Sequence, residues 1–231
     1  MKMLDFIKTK KFWVLFTIFF FPLALYLFLI TGTNNFAKLP VLTEKVGDVS
    51  HFIADDGSDI SLDGKISILC FLGDNLDKSK TNALNLNQKI YKRFNAFDDF
   101  QFLVVLPKGT EKEATALKKK IAFATDMSKF RFLFGASDDI EALFSSLNTP
   151  YRLDERYYSQ YAFIIDKNRS LRGRLDDKDS PNGRLYGYAA ETVAPIHNEM
   201  VDDVKVLVAE YRMALKKNRN DRKAWLKNEK K

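Results

Sequence analysis

A run of nineteen residues without a charged side chain, Phe12–Ile30, constrains the fold of this chain more than any other feature. Built as a helix, with a rise of about 1.5 Å per residue, the run is nearly as long as the ~30 Å hydrocarbon core of a membrane is thick. A helix that is apolar on every side must be buried in a large core or in lipid. We therefore predict a transmembrane helix over residues 12–32.

The charges on either side of this run predict its orientation. Four lysines precede the run, whereas only Lys38 and Lys45 follow it within a similar length. Because cytoplasmic flanks carry the excess of Lys and Arg, we place residues 1–11 in the cytoplasm and the rest of the chain in the periplasm, on a single-pass inner (plasma) membrane protein. A cleavable signal peptide is the alternative, but its apolar region usually has ~7–15 residues and is followed by a small-x-small cleavage site, and "LITGTNNFAKLP" offers no good site of this kind.

The net charge of +7 is concentrated at the two ends of the chain. Residues 1–11 carry +3 and residues 216–231 carry +6, which leaves about −2 for everything between them. A nucleic-acid-binding domain needs a basic face on the domain itself, so we predict no nucleic-acid partner. The basic tail, 218–231, is either a solvated helix end or a segment that lies on anionic lipid with Trp225 at the interface.

Between a linker, 33–47, and the tail, apolar runs and amphipathic segments alternate over residues 48–217. The runs predict buried strands, and the apolar spacing of three and four between them predicts helices. A turn at 167–169 leads into an antiparallel strand, and a long helix follows. This order predicts an α/β domain, a thioredoxin-like mixed sheet covered by helices. The predicted strands are 65–73, 100–107, 130–135 and 160–166, and the predicted helices are 79–97, 110–124, 137–147 and 192–217.

Two local signals predict finer details of the domain. Asp56-Gly57 lies between two short apolar segments, which is typical of a β-hairpin turn. Thr110 and Glu113 have the spacing of a capping box, in which each side chain binds a backbone N–H of the first helical turn.

The sequences of three segments resemble those of the Sco/SenC family, the membrane-anchored thioredoxin-fold copper chaperones of cytochrome oxidase assembly. "VGDVSHFIADDGSDISLDGK" is similar to that family's entry segment, and "ISILCFLG" to the strand before its metal loop. "YSQYAFIIDKNRSLRGRLD" is similar to its histidine-bearing strand and return strand. The resemblance covers residues 38–215. It implies a thioredoxin-like fold and a role near respiratory oxidase assembly.

The resemblance also implies where copper ligands would stand. The family uses a Cys-x-x-x-Cys pair after the first core strand and a His before a late strand. The cysteine positions fall on Leu76 and Lys80, or one residue earlier on Asn75 and Ser79, and the histidine position falls on Tyr158. None of these is a cysteine or a histidine, so we predict a divergent member without copper ligands, and no cofactor or metal.

The other candidates for chemistry are few. Cys70 is the single cysteine and lies in the middle of a predicted buried strand, where a small hydrophobic role is expected. His51 and His197 are the two histidines, and neither has partners spaced as metal ligands. We therefore expect no enzyme. The alternative is a thiol-dependent oxidoreductase that works through Cys70.

A cluster of tyrosines lies beside the predicted metal loop. Tyrosine is favoured at interfaces because it combines area with a hydrogen-bonding group, although half-buried packing would also explain such a cluster. The sequence predicts a binding or accessory protein with a protein partner of unknown identity, and a structural component of the envelope is a further alternative. The predicted contact surface consists of Asp74, Asn75, Tyr157, Tyr158 and Tyr161.

The predicted topology can be tested with a reporter fused after Lys231. Because the lysines favour a cytoplasmic N-terminus, a reporter that is active only outside the cytoplasm should be active in this fusion. Activity of a reporter that works only in the cytoplasm would contradict the topology. Release of a soluble protein that is about thirty residues shorter would indicate a cleaved signal peptide instead.

Overall fold

The computed structural model describes residues 10–31, 38–122, 125–178 and 180–228, and it divides into two compact units, Met1–Ala37 and Lys38–Lys231. The described part of the first unit is helix α1, Lys10–Thr31, whose apolar side chains are mostly exposed. By length and composition α1 can cross a membrane, a property that a signal sequence shares.

The second unit is an α/β domain. Two five-residue π-helical turns, Asn87–Tyr91 and Ile196–Met200, each join two of its α-helical segments. The strands are β1 (Val41–Thr43), β2 (Ile53–Ala54), β3 (Ile66–Leu72), β4 (Phe100–Pro107), β5 (Phe130–Gly135), β6 (Tyr158–Ile165), β7 (Leu171–Arg172) and β8 (Tyr188–Ala189). The remaining helices are α2 (Leu76–Leu86), α3 (Lys92–Phe94), α4 (Glu111–Ile121), α5 (Ser137–Ser146), α6 (Val193–Pro195) and α7 (Val201–Asn228).

The strands form one mixed sheet in the order β1-β7-β6-β3-β4-β5-β2, and β8 pairs with the outer edge of β6. β3, β4 and β5 are parallel, as expected for strands joined by crossover helices, and β6 runs antiparallel to β3. Cys70 of β3 lies opposite Val104 on one side and Ala162 on the other. The four predicted core strands are therefore confirmed, and they form the centre of the sheet.

The helices cover both faces of this sheet. Because side chains alternate along a strand, β3 directs Ile68 and Cys70 to the face that carries α2, α4 and α7. It directs Leu69 and Phe71 to the opposite face, which carries α5. The apolar spacing within the predicted helix 79–97 gives a face of Ala83, Leu86, Ile90, Phe94 and Phe97. The first four are buried in the first of these layers, and Phe97 packs against it partly buried.

Helix α2 begins at Leu76, three residues before the predicted start at Ser79. The reason is Asn75, whose side chain accepts a hydrogen bond from the backbone N–H of Lys78 at 3.3 Å and so caps the helix. This earlier start brings the first turn of α2 to the end of β3.

The predicted hairpin at Asp56-Gly57 is wrong. β2 pairs with β5 instead, with Ile53 opposite Phe134, and the residues described after Gly57 form no strand before β3. Two acidic residues hold the segment to β5: Asp55 exchanges two hydrogen bonds with the backbone of Phe132, and the Asp56 carboxylate lies 3.0 Å from Arg131 Nε. The turn itself does form, since the Gly57 N–H donates to the carbonyl of Ala54 at 3.0 Å, but it does not join two paired strands.

The predicted capping box is also wrong in its contacts. Thr110 does precede α4, but its hydroxyl donates to the carbonyl of Pro107 at 2.8 Å and accepts no hydrogen bond from a backbone N–H of the helix. The late turn and final helix are confirmed, since β7 returns antiparallel to β6 and α7 packs on the sheet. α7 continues to Asn228, past the predicted boundary between domain and tail at residue 217.

A partly buried ion pair ties α7 to the sheet. Arg174 Nε and Nη2 bind the two carboxylate oxygens of Asp203 at 2.7 and 3.0 Å, and the hydroxyl of Tyr188 donates to the same carboxylate at 2.6 Å. Arg172 makes a second link, because its guanidinium bridges two carboxylates, that of Asp166 in the β6–β7 turn and that of Glu210 in α7. Charged groups buried with several partners fix the position of an element, because any other position leaves them unpaired.

Candidate functional site

The candidate site lies where the end of β3 meets the start of β6. The two strands are antiparallel, and Leu72 lies opposite Tyr158. The loop Gly73–Asn75 therefore adjoins the turn Asp154–Tyr158. We call these two segments together the β3–β6 corner.

Gly73 makes the closest backbone contact in this corner. Its φ is +69°, and a Cβ at this position would lie 2.5 Å from the carbonyl oxygen of Arg156. The next residue, Asp74, donates its backbone N–H to the same oxygen at 3.1 Å. Only glycine provides both the positive φ and the missing side chain that this approach requires.

The turn before β6 holds a tyrosine in an unfavourable backbone conformation. Tyr157 has a φ of +61°, which costs about 1–3 kcal/mol for a residue of this size. The Asp154 carboxylate offsets this cost, because Oδ1 accepts the backbone N–H groups of Arg156 at 2.8 Å and Tyr158 at 2.9 Å. Strained residues of this kind are concentrated at binding and catalytic sites, so the turn is a candidate contact region.

Tyr158 is the centre of a small polar cluster. Its hydroxyl accepts a hydrogen bond from Asn82 Nδ2 at 3.0 Å and donates one to Glu191 Oε1 at 2.8 Å. Asn85 Nδ2 donates to the backbone carbonyls of Ala190 and Glu191, and so holds the backbone of Glu191 beside α2. We call Asn82, Tyr158 and Glu191 the tyrosine cluster.

The tyrosine cluster is poorly suited to acid–base or nucleophilic chemistry. Burial and the hydrogen bond to Glu191 raise the pKa of Tyr158 to about 12. The phenol therefore stays protonated near neutral pH and acts as a hydrogen-bond donor to the carboxylate. A useful general base would instead need a pKa close to the working pH.

The two registers that the resemblance allows for a cysteine pair differ in their surroundings. Lys80 is exposed and lines a surface groove of about 410 Å³ between α2 and α4, which Leu76 also lines and Tyr158 does not. Ser79, by contrast, is buried, and it precedes Asn82 by three residues on the same side of α2. Because Asn82 touches Tyr158, the register of Asn75 and Ser79 brings one cysteine position to the helix side that faces Tyr158.

The residues of the corner do not fit a Cu(I) ion. Cu(I) prefers soft thiolate and thioether sulfur, with imidazole as a further ligand, whereas the tyrosine cluster offers a phenol, an amide and a carboxylate. Burial in β3 raises the pKa of the Cys70 thiol, which is 1% exposed, well above its usual range. His51 and His197 are both exposed, and no group of three His, Cys, Asp or Glu residues suited to a metal occurs in the described part of the chain.

The structure divides the five residues of the predicted contact surface. Asp74, Asn75 and Tyr158 lie together at the β3–β6 corner, and Arg156 pairs with Asp74 at 3.5 Å. Tyr157 and Tyr161 pack in the hydrophobic layer on the opposite face of the sheet. Strand alternation explains the division, because residues 158 and 161 of one strand point to opposite faces.

Sequence reasoning missed two members of the tyrosine cluster. Asn82 lies on the buried side of α2, where the sequence pattern indicated only apolar positions. Glu191 follows a segment with no recognisable motif, and its contact with Tyr158 spans 33 residues. Neither residue carries a local sequence signal.

No protein-family model matches this sequence, and no curated protein does. Solved structures do match. BsSco, a member of the Sco family of cytochrome c oxidase assembly proteins, is 15% identical over 74% of this chain and 98% of its own, with a TM-score of 0.51. A candidate protein disulfide isomerase from Bacteroides thetaiotaomicron is 12% identical over 77% of this chain and 98% of its own, with a TM-score of 0.51. A candidate electron transfer protein from Aquifex aeolicus VF5 is 16% identical over 72% of this chain and 97% of its own, with a TM-score of 0.50.

These likenesses establish the fold. The domain has a mixed α/β thioredoxin-like fold. Its structural neighbours include Sco family proteins and thioredoxin-like oxidoreductases, in agreement with the resemblance found in the sequence, at low sequence identity.

Replacing Gly73 with alanine should destabilise the domain by about 2 kcal/mol or more, because the new Cβ is strained by the positive φ and also collides with the Arg156 carbonyl. Gly57→Ala is the matched control: its φ is +71°, but nothing lies within 4 Å of the new Cβ, so it should cost about 1 kcal/mol. Urea unfolding of the full chain in detergent, followed by circular dichroism, measures both. Equal losses would contradict the close contact at Gly73.

Proposed function

We propose that this chain is a membrane-anchored accessory protein whose thioredoxin-like domain, outside the cytoplasm, binds a partner protein at the β3–β6 corner. The observation that carries this proposal is the tyrosine cluster. Tyr158 stands at the position that the resemblance assigns to a copper-binding histidine, and its hydroxyl is engaged by Asn82 and Glu191. The corner thus holds polar side chains that are linked by hydrogen bonds at the place where the resemblance implies soft ligands.

The preformed backbone of the corner supports a binding role. The strained φ of Tyr157 and the close backbone contact at Gly73 lie in one small region. Around them Asp74 and Arg156 remain about half exposed, with side-chain exposures of 48% and 59%. A rigid backbone that presents exposed charged groups loses little conformational entropy on binding a partner.

The burial of Cys70 speaks against a thiol-dependent oxidoreductase. Redox-active cysteines lie in partly exposed, electropositive surroundings that lower the thiol pKa. Cys70 has the opposite environment, since its side chain is enclosed in β3 and its pKa is raised by burial. The chain has no second cysteine with which to form a disulfide.

A role in respiratory oxidase assembly is supported by analogy. BsSco, which has a similar fold, is described as a cytochrome c oxidase assembly protein. Helix α1 would hold the domain at the membrane, where an oxidase is assembled. Fold analogy alone does not determine function, so the partner must be identified by experiment.

Site-specific photo-crosslinking in cells tests this proposal. A photoreactive amino acid at Arg156 should crosslink one partner protein, because this side chain is exposed at the corner. The matched control is Asp98, which is exposed in the loop before β4, at the opposite end of the parallel strands. The crosslinked protein is identified by mass spectrometry.

Under the proposal, the Arg156 position yields a membrane protein of the respiratory oxidase or of its assembly machinery, and the Asp98 position does not. Crosslinking that is equal at both positions, or absent at Arg156 in a stably expressed protein, would contradict a binding role for the corner. A specific partner unrelated to respiration would support the binding role and contradict the link to oxidase assembly.

A further inference from the structure

A second surface lies on the face of the sheet opposite the tyrosine cluster. It is an open groove of about 810 Å³ between the α5–β6 connection and the segment that precedes β8. This volume is in the range of ligand-binding clefts. We call it the tyrosine groove, and its described lining is Asn148, Thr149, Pro150, Tyr151, Asn182, Arg184 and Tyr186.

Two aromatic rings form a corner inside the groove. Tyr151 stacks on Tyr161, with ring centroids 3.7 Å apart and planes inclined by 11°, so one face of the Tyr151 ring is backed by Tyr161. Tyr186 stands at 87° to Tyr151, with centroids 6.5 Å apart. Perpendicular rings with a fixed backing offer two flat walls that can hold a compact ring or a branched aliphatic side chain.

The polar groups of the groove are available for a ligand. Asn148 and Asn182 adopt positive φ values of +51° and +64°, and within the described part of the chain their side-chain amides make no hydrogen bond. An amide can donate to a carbonyl and accept from an N–H at once, so it can pair with a peptide backbone.

Arg184 is the one charged residue in the described lining of the groove. Its Nη1 lies 3.4 Å from the hydroxyl of Tyr186, and the ion pairs among the described residues do not include it. The guanidinium is thus held beside the aromatic corner with its charge uncompensated there. This favours a ligand that carries a carboxylate, which a guanidinium can bind through two parallel hydrogen bonds.

We propose that the tyrosine groove binds an extended, acidic peptide segment of a partner protein, in which a proline lies next to a carboxylate. Proline-rich segments already adopt an extended helix before binding and commonly dock on aromatic-lined grooves. The proline ring would fill the corner between Tyr151 and Tyr186, and the carboxylate would face Arg184. This inference goes beyond the proposed function, because the groove and the tyrosine cluster are on opposite faces of the sheet, and their side chains can be replaced separately.

The test uses the full chain in detergent and a fluorescent peptide, acetyl-(Pro-Pro-Glu)₂-amide, with binding followed by fluorescence anisotropy. We expect a Kd below about 1 mM, in the range of weak transient recognition. Tyr186→Ala and Arg184→Gln should each weaken binding about fivefold or more. Arg156→Gln, the same substitution at the β3–β6 corner, should leave binding unchanged.

Two control ligands make the result specific. Replacing Glu by Lys in the peptide should remove the contribution of Arg184, and replacing Pro by Gly should remove the fit to the aromatic corner. Failure of the acidic peptide to bind below 1 mM would overturn the proposal, as would binding that is insensitive to both groove substitutions. Binding of a neutral oligosaccharide such as cellohexaose, in place of the peptide, would assign the groove to glycans and also overturn it.

Discussion

The backbone contact between Gly73 and Arg156 is the constraint on which the candidate site depends. It lets the loop after β3 and the turn before β6 approach to within a hydrogen bond, and it leaves no space for any side chain at residue 73. The first turn of α2 then lies beside the start of β6, where Asn82 reaches Tyr158. Without this approach the tyrosine cluster would not form, because its members come from three separate segments.

The tyrosine cluster offers hydrogen-bonding groups at the place where the resemblance in the sequence implies soft copper ligands. A protonated phenol between an amide and a carboxylate provides directional hydrogen bonds but neither a nucleophile nor soft ligands. The remaining thiol, Cys70, is a core side chain. What the fold still provides is a rigid corner held by the sheet, and on its other face a groove with aromatic walls, both of which are suited to recognition.

Local sequence patterns predicted the central strands, the apolar face of α2 and the burial of Cys70, because each depends on periodicity within one segment. The hairpin at Asp56-Gly57 could not be judged in this way, since Asp56 binds Arg131, which is far along the chain. The same limit applies to the cluster, because Tyr158 and Glu191 are 33 residues apart, and Glu191 follows β8, which pairs with β6. Strand alternation alone could have separated Tyr161 from Tyr158, because residues 158 and 161 of one strand point to opposite faces of the sheet.

The most direct test of this account is to build, at the tyrosine cluster, the soft site that the resemblance in the sequence implies. In the triple variant Asn75→Cys, Ser79→Cys, Tyr158→His, X-ray absorption of bound Cu(I) should detect two sulfurs and one imidazole nitrogen on a single copper. The variant Leu76→Cys, Lys80→Cys, Tyr158→His should not give this set, because Lys80 faces the groove between α2 and α4. A folded Asn75/Ser79/Tyr158 variant whose copper has fewer than two sulfur ligands would contradict the placement of Tyr158 at the lost site.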